Sequence, residues 1–326
     1  MDLKTTYMGM ELKNPIIVAS SSLSKTLDGI QNIVDSGAGA VILKSLFEEQ
    51  ISAQTQQLEQ HLYSGAHAES LDYIRNYSKE HSLDEYLDLL EAAKKMASIP
   101  IIASLNCVSA REWTDFATRI ENHGADALEL NIALNNYDPK TSGEVIEARY
   151  LEIVEKIMAK VSIPVSVKLG PGFSSLAHFA RRLVNRGVKA LVLFNRFYQS
   201  DIDIEKMELT SASPFSSPKE YYLSLRWIAN LSGVVECDFS ASTGIHDGPT
   251  AIKLLLAGAQ TLQVCSTLYA NKLVRVQEML SFMEIWMKTH HYDSMASFQG
   301  KLSRLQSDHP EKYDRLQYIK ALTGIE

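Results

Sequence analysis

Two lysines stand where strand-like runs give out. Lys44 follows Ala40-Val41-Ile42-Leu43, and Lys168 follows Pro164-Val165-Ser166-Val167. Asparagines occupy the same kind of position: Asn106 just past Ser104, Asn131 after Ala127 to Leu130, and Asn195 after Ala190 to Phe194. Small residues end the other runs, as Ala19-Ser20, Ser45, Thr243-Gly244 and Cys265-Ser266. An ammonium group is expensive to bury unless it meets an anion or a polar ligand. Carboxamides offer paired donors and acceptors to a polar ring. Backbone N–H groups in tight turns beside a helix start suit a phosphate. Singly, each has a plainer reading: a lone lysine on the surface, a lone asparagine or glycine in a turn, Cys265 as a small packing residue without a partner histidine. Jointly, and in register with strand ends, they face one mouth. The chemistry suits a planar conjugated ligand with a phosphate tail.

The elements that must hold these residues follow from the pattern. Eight apolar runs begin near residues 16, 40, 100, 127, 164, 190, 234 and 261, separated mostly by helical periodicity. Thr26, Ser109 and Asp247 read as helix starts, and Gly37, Gly124, Gly187 and Gly258 as helix stops. Val234 to Phe239 reads as the seventh strand, Ala241 to Gly244 as its turn, and Thr261 to Val264 as the eighth strand. The expected fold is α/β, a single (β/α)8 TIM barrel over residues 1–326, with long loops after strands 2 and 6 and with C-terminal helices over about 280–326. The rival, an open doubly wound sheet, favours a GxGxxG turn, and Ala19-Ser20-Ser21-Ser22-Leu23-Ser24 is not one. The polar stretch 46–80 reads either as a lid or as a solvated insertion. In a barrel the carboxyl ends of the strands face the active site, and the last two strand–helix loops are a frequent phosphate site.

Bulk properties narrow the partners. The net charge of −7 argues against nucleic acid or an anionic membrane. Cys107, Cys237 and Cys265 have no CxxC spacing, which gives no metal motif and no disulfide framework. The absence of any run of about 18 apolar residues points to a cytoplasmic protein without a membrane span.

These motifs resemble the dihydroorotate dehydrogenase family of FMN barrels, including the pyrimidine-reducing domain of dihydropyrimidine dehydrogenases. Leu43-Lys44-Ser45 is similar to the family's flavin-contacting T-K-S, and Pro164 to Leu169 to the segment of its second flavin lysine. Ser242-Thr243-Gly244-Ile245 is similar to its T-G-G-I turn. Gly258-Ala259 with Leu262-Gln263-Val264-Cys265-Ser266 is similar to its phosphate turn. The resemblance implies FMN as cofactor, held by Ala19, Ser20, Lys44, Ser45, Ser104, Asn131, Lys168, Asn195, Thr243, Gly244, Cys265 and Ser266. It implies Lys44 and Asn131 at the catalytic centre, and a pyrimidine-like substrate held by Asn131, Asn136 and Asn195. In the family reaction a hydride leaves substrate C6 for the flavin while a base removes the C5 proton. Where the family has E-L-N-x-S-C-P-N, or serine for that cysteine, this chain has Glu129-Leu130-Asn131-Ile132-Ala133-Leu134-Asn135-Asn136. The base therefore aligns with Leu134, which takes no proton. The family's N-S-M-G-L-P-N substrate loop has no match in residues 61–80. Three readings follow: a dihydroorotate dehydrogenase-like enzyme without its usual base; an enzyme for another pyrimidine or activated C=C bond, with Tyr137, a residue of the 46–80 loop or water supplying the proton; or a degenerate flavin-binding protein. A soluble electron acceptor or separate redox partner is expected, and a homodimer is possible by the same resemblance.

Overall fold

The computed structural model describes residues 1–47, 83–106, 110–134, 137–196 and 199–313. In chain order the strands are β1 (Thr5–Tyr7), β2 (Met10–Leu12), β3 (Ile16–Val18), β4 (Ala40–Ile42), β5 (Leu46–Phe47), β6 (Ile101–Asn106), β7 (Ala127–Asn131), β8 (Val165–Leu169), β9 (Ala190–Leu193), β10 (Ser200–Asp203), β11 (Glu208–Ser211), β12 (Asp238–Ser242) and β13 (Thr261–Val264). Eight of them pair in parallel in the cyclic order β3, β4, β6, β7, β8, β9, β12, β13, and β13 returns to β3. The ring closes, so the expected barrel forms and no sheet edge is left among these eight. β5 lies alongside the end of β6.

The helices are α1 (Leu27–Asp35), α2 (83–96), α3 (Ala110–Asn122), α4 (Gly143–Met158), α5 (Leu176–Val184), α6 (Tyr221–Leu231), α7 (Gly248–Ala257), α8 (Ser266–Asn271) and α9 (Val274–Thr289). Local chemistry sets their ends. The Asp247 carboxylate accepts from Thr250 N at 2.8 Å and caps α7. Gly258 ends it in the left-handed region at φ +116°, where a side chain would be strained.

Strand alternation sorts the core into two layers. Val18, Val41, Ala103, Leu128, Val167, Leu191, Ala241 and Leu262 point outward and pack beneath the helices. Inside, near the amino ends of the strands, Ile17, Ala40, Ile42, Ile102, Ala127 and Ala190 form a separate apolar cluster. Tyr7, Met8 and Leu12 from the β1–β2 hairpin close it off. Above that plug the inward positions turn polar: Ser104, Glu129, Ser166, Lys168, Ser240, Thr261 and Gln263 are all buried.

Several expectations are corrected. Residues 1–13, which no strand expectation covered, carry the plugging hairpin. The seventh strand starts at Asp238 rather than Val234. Residues 232–237 make a tight turn after α6, with Gly233 at φ +78° and Val234 half exposed. Ala241 and Ser242 belong to that strand, so the turn is only Thr243-Gly244. The loop after the sixth barrel strand holds the antiparallel hairpin β10–β11, with Ile202 opposite Leu209. Ser266 opens a short helix instead of merely ending a strand. Among the described residues the last α-helix ends at Thr289; beyond it lie 3-10 turns at Met295–Ser297 and Pro310–Tyr313, and Ile285, Leu302 and Leu305 are exposed. Residues 314–326, with Tyr318 and Leu322, fall outside the described residues, as does nearly all of the 46–80 stretch.

Candidate active site

A cavity of about 380 Å3 opens at the carboxyl ends of the strands. Ala19 and Ser20 after β3, Lys168 of β8, Asn195 after β9, Thr243 and Gly244 after β12, and Cys265 and Ser266 after β13 line it along one arc of the ring. The structure thus gathers eight of the expected residues at one place. Ser45 and Ser104 stand behind Ser20 as a chain of hydroxyls. Ser20 Oγ is 2.9 Å from Ser45 Oγ, which is 2.7 Å from Ser104 Oγ. Ser104 N in turn donates to the Tyr86 hydroxyl of α2 at 2.9 Å. Asn131 reaches the cavity through its neighbour: Asn195 Nδ2 donates to Asn131 Oδ1 at 3.0 Å. That bond spends one donor of Asn195 and one acceptor site of Asn131, leaving one N–H and the oxygen on Asn195 and both N–H groups on Asn131 for a polar ring.

Lys44 sits apart from that wall. It is half-buried past the end of β4, does not line this cavity, and has no hydrogen-bond or ion-pair partner among the described residues. Asn136 and residues 61–80 lie outside the described residues. Tyr137, offered above as a proton source, is 91% exposed and not in the cavity wall. Leu134 is half-buried and packed on the core. Its amide donates to the Tyr150 hydroxyl at 3.4 Å, and that hydroxyl donates to Ile132 O at 3.0 Å, so α4 ties down the segment after β7.

The turn after β12 is unusual in backbone. Thr243 and Gly244 both have positive φ, +74° and +77°. Thr243 holds this region with a side chain, and its hydroxyl donates to Phe194 O at 3.0 Å, tying the end of β12 to the segment after β9. Ser216 joins this turn to α8. Its Oγ accepts from Gly244 N at 3.3 Å and lies 3.1 Å from His246 Nε2, while Ser216 N donates to Ser266 Oγ at 3.0 Å. Burial holds the His246 imidazole below its ordinary value, so the neutral ring can accept the Ser216 proton. Burial also raises the Cys265 thiol, which keeps it protonated and poorly nucleophilic, in line with a packing role.

Sequence reasoning missed the roles of four residues of the site. Gln263 and Glu129 lie beneath Lys168: Lys168 Nζ donates to Gln263 Oε1 at 3.1 Å, and Gln263 Nε2 donates to Glu129 Oε2 at 2.5 Å. Strand alternation was a usable signal for both, since Glu129 shares a face with Asn131 and Gln263 with Cys265. Ser216 and Arg196 had no such signal. Arg196 bonds Glu220 at 2.8 Å and the Ser213 carbonyl at 3.0 Å, securing the base of the β10–β11 hairpin on the cavity rim.

The fold and cavity define a parallel α/β barrel with a polar-lined cavity at the carboxyl ends of its strands. The chain belongs to the dihydroorotate dehydrogenase family, whose profile matches residues 2–284. It is 26% identical over 310 residues to the dihydroorotate dehydrogenase B (NAD(+)) catalytic subunit of Thermoplasma volcanium, covering 92% of this chain and 98% of that one. It is 27% identical over 276 residues to the corresponding subunit of Methanocaldococcus jannaschii, covering 82% and 87%. It is also 23% identical over 341 residues to the chloroplastic dihydropyrimidine dehydrogenase (NADP(+)) of Arabidopsis thaliana, covering 96% and 80%. Among the described residues no helix is long and apolar enough to cross a membrane, and no cluster of metal-ligating side chains occurs.

Proposed function

We propose that this chain is an FMN-dependent oxidoreductase of the dihydroorotate dehydrogenase type, acting on a pyrimidine-like ring. The observation that carries the reading is the cavity that joins a buried lysine, a bonded asparagine pair and two small-residue turns at the strand ends. These donors fit the cofactor. The Lys168 ammonium has spent one N–H on Gln263 and borders the cavity, as a ring edge that gains negative charge requires. The Ser266 hydroxyl, which accepts from Ser216 N and keeps its own proton to donate, beside the tight turn at Thr243-Gly244, suits a phosphate. FMN, when bound, supplies the acceptor for a hydride equivalent. Asn131 and Asn195 hold and orient the substrate ring through their unspent amide groups. Asn136 is assigned to the same task by its place in the motif, and Lys44 to the flavin or the substrate above it.

Proton transfer separates this chain from the family motif it resembles. Leu134 occupies the position expected for the base and offers no acceptor, so oxidation of dihydroorotate by the family's usual route is slow or absent. The packing of Leu134 on the core favours a second reading, in which the substrate is another pyrimidine or activated C=C bond and solvent supplies the proton. That relatives in Thermoplasma volcanium and Methanocaldococcus jannaschii are catalytic subunits supports a separate redox partner.

The test is a visible spectrum of the purified protein with its flavin content. Stopped-flow mixing with dihydroorotate follows, and then reoxidation of dithionite-reduced protein by a panel of pyrimidines and enones. Bound FMN, slow bleaching by dihydroorotate and reoxidation by at least one panel member are expected. A colourless protein that refuses FMN refutes the proposal. Rapid bleaching by dihydroorotate refutes the assignment at Leu134.

A further inference from the structure

Beneath the cavity a carboxylate lies inside the barrel with one oxygen unused. Glu129 is 1% exposed, and among the described residues its Oε1 has no hydrogen-bond partner. Its nearest cation is Lys168, whose Nζ stands 3.9 Å from that oxygen, beyond hydrogen-bond reach but within ion-pair range. Both side chains are buried, at 1% and 10% exposure. A charge so placed is tolerated only when another group compensates it. Gln263 supplies the connection. Its carbonyl oxygen accepts from Lys168 and its N–H donates to Glu129 Oε2, which fixes the amide in one orientation. The reversed amide would set N–H against ammonium and carbonyl against carboxylate. Glu129 and Lys168 sit on the paired strands β7 and β8, and the curvature of the closed barrel brings Gln263 of β13 across to both.

We infer that Glu129 is a positioning residue that sets, through Gln263 and by direct pairing, the net charge Lys168 presents to the cavity. This rests on the flavin reading for its consequence and stands on the geometry for its cause. With the carboxylate in place, Lys168 and Glu129 together act as a weak positive source. Removing the carboxylate's charge leaves the ammonium uncompensated in a low-dielectric interior, where its field on a neighbouring ligand strengthens. A ring that becomes negative on reduction is then easier to reduce.

The experiment is a double-mutant cycle on Glu129→Gln and Lys168→Met, read by the midpoint potential of bound FMN and by Tm of the ligand-free protein. Glu129→Gln should raise the potential, by about 30 mV for each tenfold change in the two-electron equilibrium. Lys168→Met should lower it, and Glu129→Gln should move the potential less in the Lys168→Met background than in the parent. Lys168→Met should also lower Tm by stranding the carboxylate, and adding Glu129→Gln should recover part of that loss. Should Glu129→Gln fail to fold, Glu129→Asp keeps the charge but draws it back, and should move the potential the same way by less. An unchanged or lowered potential in Glu129→Gln, or an effect just as large without Lys168, overturns the inference. Failure to take up FMN would sink the flavin reading alone. In that case additive Tm changes overturn the coupling, and non-additive ones sustain it.

Discussion

Gly244→Ala tests the backbone on which the phosphate end of the site depends. Gly244 has φ +77°, a region that costs an L-residue about 1–2 kcal/mol. Space makes the change harder. A Cβ built at this position stands 2.2 Å from Tyr221 N and 2.7 Å from Glu220 C, both backbone atoms at the start of α6. Carbon contacts settle near about 3.5 Å, so the turn and the helix must part by more than about 1 Å. Overpacking of that kind costs roughly 1–3 kcal/mol, and the reduced freedom of the unfolded chain returns about 0.4–1 kcal/mol. The net expectation is a loss of about 2–4 kcal/mol, seen as a lower urea midpoint at unchanged m-value. Moving the turn also carries its amides off the ligand, so FMN affinity should fall at least about tenfold, near 1.4 kcal/mol. A loss below about 0.5 kcal/mol would refute the reasoning. Thr243 next door gives an internal comparison at nearly the same φ, +74°. Thr243→Gly relieves strain of about 1–2 kcal/mol but gives up the hydrogen bond to Phe194 O, worth about 1 kcal/mol, and adds unfolded-state freedom. It should therefore lie within about 1 kcal/mol of the parent in the same urea titration.

Two other outcomes are expected. Leu134→Cys or Leu134→Ser should raise the stopped-flow rate of flavin bleaching by dihydroorotate, toward the roughly 10²–10⁴-fold that a positioned base supplies. FMN content should not change, and no gain in either variant would remove Leu134 from the role assigned to it. The folded-state value of His246 is depressed by burial, so the unfolded chain takes up this proton before the folded one does. Stability should fall as pH drops from about 6.5 through the lower folded-state value. His246→Gln should flatten that part of a Tm-against-pH curve, and an unchanged slope would count against a depressed imidazole.

Much of the fold could be read along the chain because its signals are local. Apolar runs at Ile16, Ala40 and Thr261 became strands, Asp247 became a helix cap, and Gly258 took the left-handed stop. Val234 misled because an apolar residue in a turn looks like one in a strand; neighbouring positions did not say that residues 232–237 bend before the sheet begins. The hairpins β1–β2 and β10–β11 escaped notice for a related reason. β1 and β2 alternate over only three residues each, too few to stand out, and β10–β11 is exposed on both faces and carries no alternation.

The candidate site divides along the same line. Which residues end the strands was settled locally, since the pleat turns alternate side chains inward and a polar residue in last place faces the mouth. So Lys168, Asn195, Gly244 and Ser266 were legible as residue types in their places. Which of them meet was decided by closure of the barrel. Gln263 bonds Glu129 across 134 positions and Lys168 across 95, and Lys44 lies apart from the cavity wall although its strand-end position matches that of Lys168. Such pairings depend on how far each strand is staggered against its neighbours around the ring, a quantity no single segment encodes. The sequence by itself determined the chemical inventory of the barrel mouth; tertiary structure alone decided that a buried carboxylate would stand behind one lysine and not the other.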